Sequence, residues 1–431
     1  MRAKPGGLPV IDAHAVNTLR TRAIGPEHKS VPPEAWGRSI EEFVASRPEL
    51  SRFQTPLLTI DTARVDHNIE VMATWARQAG VELAPHGKTT MAPAIWKRQL
   101  DSGSWAITLA TIWQTQIARS FGVERIMLAN ALVDPVGLVW VAQELDAHPE
   151  FEFLCWADSL DTVRLMNGVL CGAKAGRQVR VVVELGGAHG RTGARIPEQA
   201  RAVADAVADS PHLSLAGVGG YEGALSHDRS EAGLGAVAEY LEAVAALHVE
   251  LTTAGLYDGH AIVTAGGSAY QDLVVEHLAP LADPTGARGV PTSVVLRSGA
   301  YVIHDDGFYS EISPMIPGRS EHVLRAAMHG WARVVSRPEP GLALLDAGKR
   351  DLPYDEGLPV PQSVDGAVTA LNDQHAFLRF PADVDAAPIG SVVRLGLSHP
   401  CTAFDKWRLI PLIDDADSEN PRVVDLVHTY F

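Results

Sequence analysis

A chain of 431 residues, 46% hydrophobic and of slightly positive mean hydropathy, is long and apolar enough to bury a large core and form two domains. Its 36 Lys and Arg against 52 Asp and Glu leave a formal charge of −16, which disfavours nucleic acid or an anionic membrane surface as partner and is compatible with a small zwitterionic metabolite. Cys155, Cys171 and Cys401 are too few and scattered for a disulfide framework, the opening Met1-Arg2-Ala3-Lys4-Pro5-Gly6-Gly7 leads into no apolar signal core, and no uninterrupted apolar run reaches the roughly 18 to 20 residues of a membrane span, so a cytoplasmic globular protein is expected.

Residues 1–54 mix Pro, Gly, Arg and Trp without a sustained period and read as an extension packed on the body, with a short helical candidate at Ser39 to Ala45. Thr55 to Ile60 reads as a strand, and Asp61 or Thr62 can cap a helix carrying Val65, Ile69, Met72 and Ala76 at helical spacing. From there apolar strand-like runs alternate with amphipathic helices. The runs are Val81 to Ala84, Trp105 to Ala110, Arg125 to Asn130, Phe151 to Trp156, Val179 to Glu184, Leu213 to Val218, Ala261 to Ala265 and Ser293 to Leu296; Pro197 to Ala208 and Leu234 to Thr253 are two of the helices. About eight such units over residues 55–310 suit a closed (β/α)8 TIM-type barrel better than an open doubly wound sheet, and barrel chemistry is carried by the loops that follow the strands. Residues 311–431 change character. Ala326 to Val335, Gly341 to Asp346, Ala367 to Leu371, Ala376 to Arg379 and Val392 to Leu397 are short, β-prone and separated by Pro, Gly and Asp turns, which predicts a C-terminal antiparallel β-domain.

The strand-end loops hold the residues of interest. In Pro85-His86-Gly87-Lys88-Thr89, Gly87 permits a tight turn and Lys88 stands at the end of an apolar run. Partly desolvated there, a lysine amine can lose its proton and condense with an aldehyde; the same residues also suit an ordinary solvated lysine, with His86 shaping the loop. Gly266-Gly267-Ser268 has the form of a phosphate cradle or a plain flexible turn. Tyr221 is placed to meet a ring or phosphate, or to anchor its loop. Arg191 can bond a cofactor's phenolic or pyridine edge, or neutralise a nearby carboxylate. Near the C-terminus, Ser398-His399-Pro400-Cys401 offers an imidazole and a thiolate two residues apart, on one face of an extended segment. That favours zinc, with open positions left for water or substrate.

Together, Pro85-His86-Gly87-Lys88-Thr89, Gly266-Gly267-Ser268 and Ser398-His399-Pro400-Cys401 resemble the D-serine dehydratase and D-threonine aldolase group of the alanine racemase-type, fold type III pyridoxal phosphate enzymes, over roughly Thr55 to Phe431. The resemblance implies that Lys88 bonds pyridoxal 5′-phosphate covalently and that Tyr221, Thr264, Gly266, Gly267 and Ser268 belong to the cofactor pocket. It implies too that His399 and Cys401 bind a metal, Zn2+ in the dehydratases, and that the chain forms a homodimer. The aldolase pattern has aspartate where this chain has Cys401, which favours dehydration of D-serine or a related 3-hydroxy-D-amino acid to a 2-keto acid and ammonia. Lys88 would take the α-proton and the zinc would hold the departing hydroxyl. Retro-aldol cleavage uses the same parts differently. A metal-free racemase would need a second acid or base, for which Tyr301 or Tyr309 is a candidate, and a non-catalytic pyridoxal phosphate carrier typically consists of the barrel alone. The extension before Thr55 and the loop Leu185-Gly186-Gly187-Ala188-His189 depart from the family pattern and bear on the substrate.

Overall fold

The computed structural model describes residues 10–384 and 386–431; the opening stretch read for a signal core lies outside them. Two compact units result, each discontinuous in sequence. One takes Ala73–Lys88 and Gln99–Gly299, the other Asp12–Met72, Thr89–Arg98 and Ala300–Phe431.

The first strand, β1 (Leu57–Asp61), belongs to the second unit. The first unit is built on eight parallel strands: β2 (Glu82–Leu83), β3 (Ile107–Leu109), β4 (Arg125–Ala131), β5 (Glu152–Ala157), β6 (Val179–Glu184), β7 (Leu213–Gly219), β8 (Ala261–Ala265) and β9 (Thr292–Leu296). Their spatial order is β2-β9-β8-β7-β6-β5-β4-β3. The two ends of that row meet. Trp105 N–H donates to the Leu83 carbonyl at 2.6 Å, Thr108 N–H to the Pro85 carbonyl at 2.8 Å, and His86 and Thr108 form a parallel bridge, which closes the predicted barrel. The interior is filled by Ala84, Ala106, Met127, Leu154, Trp156, Val182, Ala216, Ile262 and Val295, a mixture of large and small side chains that lets inward layers interdigitate. Gly217 is obligatory, because a Cβ there would lie 1.9 Å from the Ile262 carbonyl oxygen of the neighbouring strand.

Among the described residues, the helix Glu231–Thr253 alone has the length and apolarity of a membrane span. Its apolar face is that of a barrel helix: Val237, Tyr240, Leu241, Val244, Leu247 and Leu251 are buried, and the Tyr240 hydroxyl donates to the Leu185 carbonyl at 2.6 Å.

The second unit holds a nine-stranded sheet. Its strands after β1 are β10 (Met328–Glu339), β11 (Leu342–Leu345), β12 (Val360–Pro361), β13 (Ala367–Leu371), β14 (Ala376–Arg379), β15 (Val392–Gly396), β16 (Leu409–Ile413) and β17 (Val423–His428). All the pairings are antiparallel except β1 with β16. β1, which lies within the span 55–310 assigned to the barrel, thus pairs with β10 and β16 in this sheet. Residues read as an N-terminal extension complete its core: Ile24, Val31, Ala35, Ile40, Phe43 and Phe53 pack with Leu57, Leu409, Ile413, Val423 and Leu426. The short helix Ile40–Val44 falls inside the predicted span and starts on a capping box, with Glu42 N–H donating to Ser39 Oγ and Ser39 N–H to the Glu42 carboxylate.

Candidate functional site

The first unit gathers polar groups in the loops after its strands. Lys88 lies in the turn Gly87–Thr89 that follows β2, half-buried. Two positions earlier, His86 is held well below the ordinary histidine range, first by burial and then by the positive charges of Lys88, Arg297 and Arg191. Those three cations therefore converge on one neutral imidazole, whose Nδ1 is buried without a hydrogen-bond partner. Arg191 is exposed, with its guanidinium 4.9 Å from the ring centroid of Tyr221, close enough for a cation–π contact. Thr264, the penultimate residue of β8, is fully buried; its hydroxyl donates to the Val295 carbonyl at 2.8 Å and accepts from Arg297 at 2.6 Å.

Gly266 and Gly267 turn their amides to one side, as a phosphate cradle requires. Gly266 has φ +109°, open to glycine alone, and a Cβ on Gly267 would lie 2.9 Å from the Tyr221 ring. The acceptor they meet is Glu222: Gly266 N–H donates to its Oε2 at 3.0 Å and Gly267 N–H to its Oε1 at 2.6 Å. The sequence reads this loop as a phosphate cradle or a plain flexible turn, and the structure spends the two amides on a carboxylate of the same chain. Ser268, next along, is buried in the same loop.

Glu222 and Arg297 were not singled out from the sequence. Arg297 ends an apolar run, Val294-Val295-Leu296, and a lone charge at such a strand end is a signal that could have found it. Glu222 carried no such mark beyond following Tyr221.

In the second unit, His399 and Cys401 do come together. The His399 imidazole hydrogen-bonds both Cys401 and Asp355, the latter through Nδ1 to Oδ2 at 2.6 Å. Burial alone would lower this imidazole, but the hydrogen bonds and charges of Cys401 and Asp355 outweigh it and push it up to about 9. Burial works on Asp355 in the opposite sense. It would raise the carboxyl, yet the Thr402 hydroxyl, donating to Oδ1 at 2.6 Å, and His399 hold it below the usual range. His399 has φ +58°, an uncommon backbone conformation for a bulky residue, and its N–H is fixed on Asp305 Oδ2 at 2.9 Å. Cys401 opens a one-turn helix, Cys401–Phe404, where an extended segment was expected. Its Sγ lies 3.3 Å from the hydroxyl of Thr89, the residue after Lys88 in the chain. Asp355 lies 44 residues before His399, so no local spacing could have pointed to it.

These donors can be matched to the groups that the sequence implies. Three clustered cations and a buried imidazole nitrogen without a partner, beside a glycine loop that continues into Ser268, suit an anionic aromatic aldehyde such as pyridoxal phosphate. An imidazole nitrogen beside a soft sulfur suits a borderline-soft divalent cation, which would take the place of the proton between them. No group of three or more His, Cys, Asp or Glu able to hold a metal occurs among the described residues.

Comparison with known proteins agrees with both halves. The alanine racemase N-terminal domain matches residues 60–274, and the putative serine dehydratase domain matches residues 327–413. The chain is 28% identical to a D-threonine aldolase of Arthrobacter sp over 358 residues, 83% of this chain and 88% of that protein. Among solved structures, a D-threonine aldolase from Filomicrobium marinum is similar with a TM-score of 0.74 at 24% identity, covering 88% of this chain and 96% of that one. A D-threo-3-hydroxyaspartate dehydratase in metal-free form, carrying a cysteine-to-alanine substitution, has a TM-score of 0.71 at 21% identity, covering 89% and 99%. The same enzyme is also solved with a histidine-to-alanine substitution two positions before that cysteine. The barrel with its closing strands, the second sheet and these matches lead to one assignment: the chain belongs to the alanine racemase-type, fold type III pyridoxal phosphate family, in the group whose C-terminal domain is D-serine dehydratase-like.

Proposed function

We propose that the protein is a pyridoxal phosphate-dependent lyase that eliminates water from D-serine or a related 3-hydroxy-D-amino acid, with zinc on His399 and Cys401. The observation that carries the reading is the His399 and Cys401 pair, hydrogen-bonded to each other and anchored by Asp355. Its spacing matches the histidine and cysteine substituted in the solved dehydratase, whose cysteine variant is described as metal-free.

Pyridoxal phosphate, bound through Lys88, supplies an electron sink that acidifies the α-carbon of an amino acid joined to it. The Lys88 amine would be the base for the α-proton. His86 stays neutral and can hold a hydrogen bond without adding charge. Tyr221, Thr264 and Ser268 line the cofactor pocket in this reading, and Arg191, lying over Tyr221, closes its rim. His399 and Cys401 would hold the cation, which lowers the barrier to loss of a poor leaving group by stabilising negative charge on oxygen. Asp355 orients His399 by accepting a hydrogen bond from its Nδ1–H, which would leave Nε2 as the ligand. The partner would be a second copy of the chain.

Retro-aldol cleavage is the second reading, favoured by the Arthrobacter relative's being a D-threonine aldolase. The experiment is product analysis of purified protein with D-serine, D-threonine and 3-hydroxy-D-aspartate, before and after chelation. A 2-keto acid and ammonia that vanish on chelation support dehydration. Glycine plus an aldehyde replaces it with the aldolase, and chelator-insensitive racemisation overturns both.

A further inference from the structure

The glycine loop after β8 is fastened on both sides. Glu222, with no exposed surface, takes the amides of Gly266 and Gly267, and the Ser298 hydroxyl donates to the Gly267 carbonyl at 2.6 Å. Arg297, also buried, donates to the Thr264 hydroxyl at 2.6 Å and the Gly220 carbonyl at 2.5 Å. Its charge interacts with Glu222 as well. Glu222 belongs to the loop after β7, Gly266 and Gly267 to the loop after β8, and Arg297 and Ser298 to the loop after β9, so three consecutive loops are tied to one another.

An incoming phosphate could use the same two amides only by expelling the carboxylate. Expulsion would strand a buried charge without its donors, a large penalty, while one anion merely replaced another on the same N–H groups. Sharing is no better, because each N–H serves one strong acceptor and the two anions would repel each other. Glu222 therefore stays in place, and the phosphate must meet other donors.

We infer that Glu222 is a positioning residue for the cofactor loop: its carboxylate spends the Gly266 and Gly267 amides to lock the loop, and thereby presets the next donors, Ser268 and the amides beyond it, for a phosphate. The inference rests on the pyridoxal phosphate reading above for the identity of the anion, and on the hydrogen bonds alone for the lock.

The test uses the full chain stripped of cofactor. Glu222→Gln keeps the shape of the side chain and removes its charge, and Glu222→Asp keeps the charge and shortens its reach. Two measurements need no turnover: amide hydrogen exchange across residues 264–270, and the Kd of pyridoxal 5′-phosphate set against that of pyridoxal, which lacks the phosphate. Expected are faster exchange in both variants and a loss of about tenfold in affinity for pyridoxal 5′-phosphate, with pyridoxal changed by less than about twofold. If the glutamine variant does not fold, the aspartate variant carries both measurements. Tighter binding of pyridoxal 5′-phosphate to Glu222→Gln would mean that the carboxylate competes with the phosphate, and overturns the inference. Unchanged exchange together with an unchanged affinity ratio overturns it too. Failure of the cofactor reading looks different: the unaltered protein would bind neither compound, while hydrogen exchange would still decide whether Glu222 locks the loop.

Discussion

Asp355 shows what single residues contribute and what a sequence conceals. A metal-ligating imidazole is a better ligand when its other nitrogen donates to a carboxylate, because the tautomer and the ring angle are then fixed. Replacing Asp355 by Asn keeps a hydrogen bond to His399 Nδ1 but removes the charge. The expected result is a zinc affinity weaker by about 10- to 100-fold, read by competition with a chelating dye, with activity recovered at high zinc. Recovery separates orientation from damage to the fold. Lys88→Ala has a sharper outcome: borohydride treatment should fix no pyridoxyl group to the protein, and activity should be absent even with cofactor in excess. That Lys88 stands in a turn after a strand, and that His399 and Cys401 come together, was legible because their neighbours in sequence carry the signal: an apolar run before Lys88, and two soft donors two residues apart. Asp355, Glu222 and Arg297 were not, since each reaches its partner across the fold.

At the scale of elements, the eight barrel strands were found in the sequence, β6 and β8 to the residue. Parallel strands buried on both faces read as continuous Val, Ile and Leu runs bounded by helices, a signal that needs no long-range information. β16 and β17 were missed, and the sheet that β1 joins was not read, for one reason. A strand's partner is chosen by pairing, and Leu57 to Ile60 pairs with a segment more than two hundred residues away. The loop Leu185 to Ala194 is held from outside as well, by the Tyr240 hydroxyl on the Leu185 carbonyl. Tyr240→Phe removes that donor and leaves a buried carbonyl unpaired, for an expected cost of about 1 to 3 kcal/mol. Denaturant unfolding measures the loss. Hydrogen exchange should locate the added mobility in residues 185–194, where Arg191 resides, so a weaker hold on the cofactor's rim should accompany the loss of stability.

For the whole molecule, pH is the variable on which many buried groups act at once. His248, His304, His329 and His428 are lowered by burial to about 4. The unfolded chain takes up a proton on each near 6.5 and the folded chain only near 4, so acidification between those values favours unfolding. Asp306 opposes them: burial, and then the neighbouring Asp305, raises its carboxyl to about 6. Between 6 and its ordinary value of 3.8 the folded chain binds the proton more tightly, so this group gains stability as pH falls and costs stability above 6. His329 and Asp306 meet through Gln362, which accepts from His329 Nδ1 at 3.1 Å and hydrogen-bonds Asp306, so the two opposing titrations sit in one polar cluster with Arg64 and Arg394. Two variants separate them. Asp306→Asn should raise stability at pH 7 to 8, by up to about 3 kcal/mol, and steepen the decline on acidification, because the compensating gain is gone. His329→Gln should flatten that decline between pH 6.5 and 4 by an amount of the same order. Thermal midpoints measured across this range decide the matter: a midpoint that rises on acidification from 6.5 to 4 in the unaltered protein, or an Asp306→Asn variant with a shallower acid limb, would reverse the assigned signs.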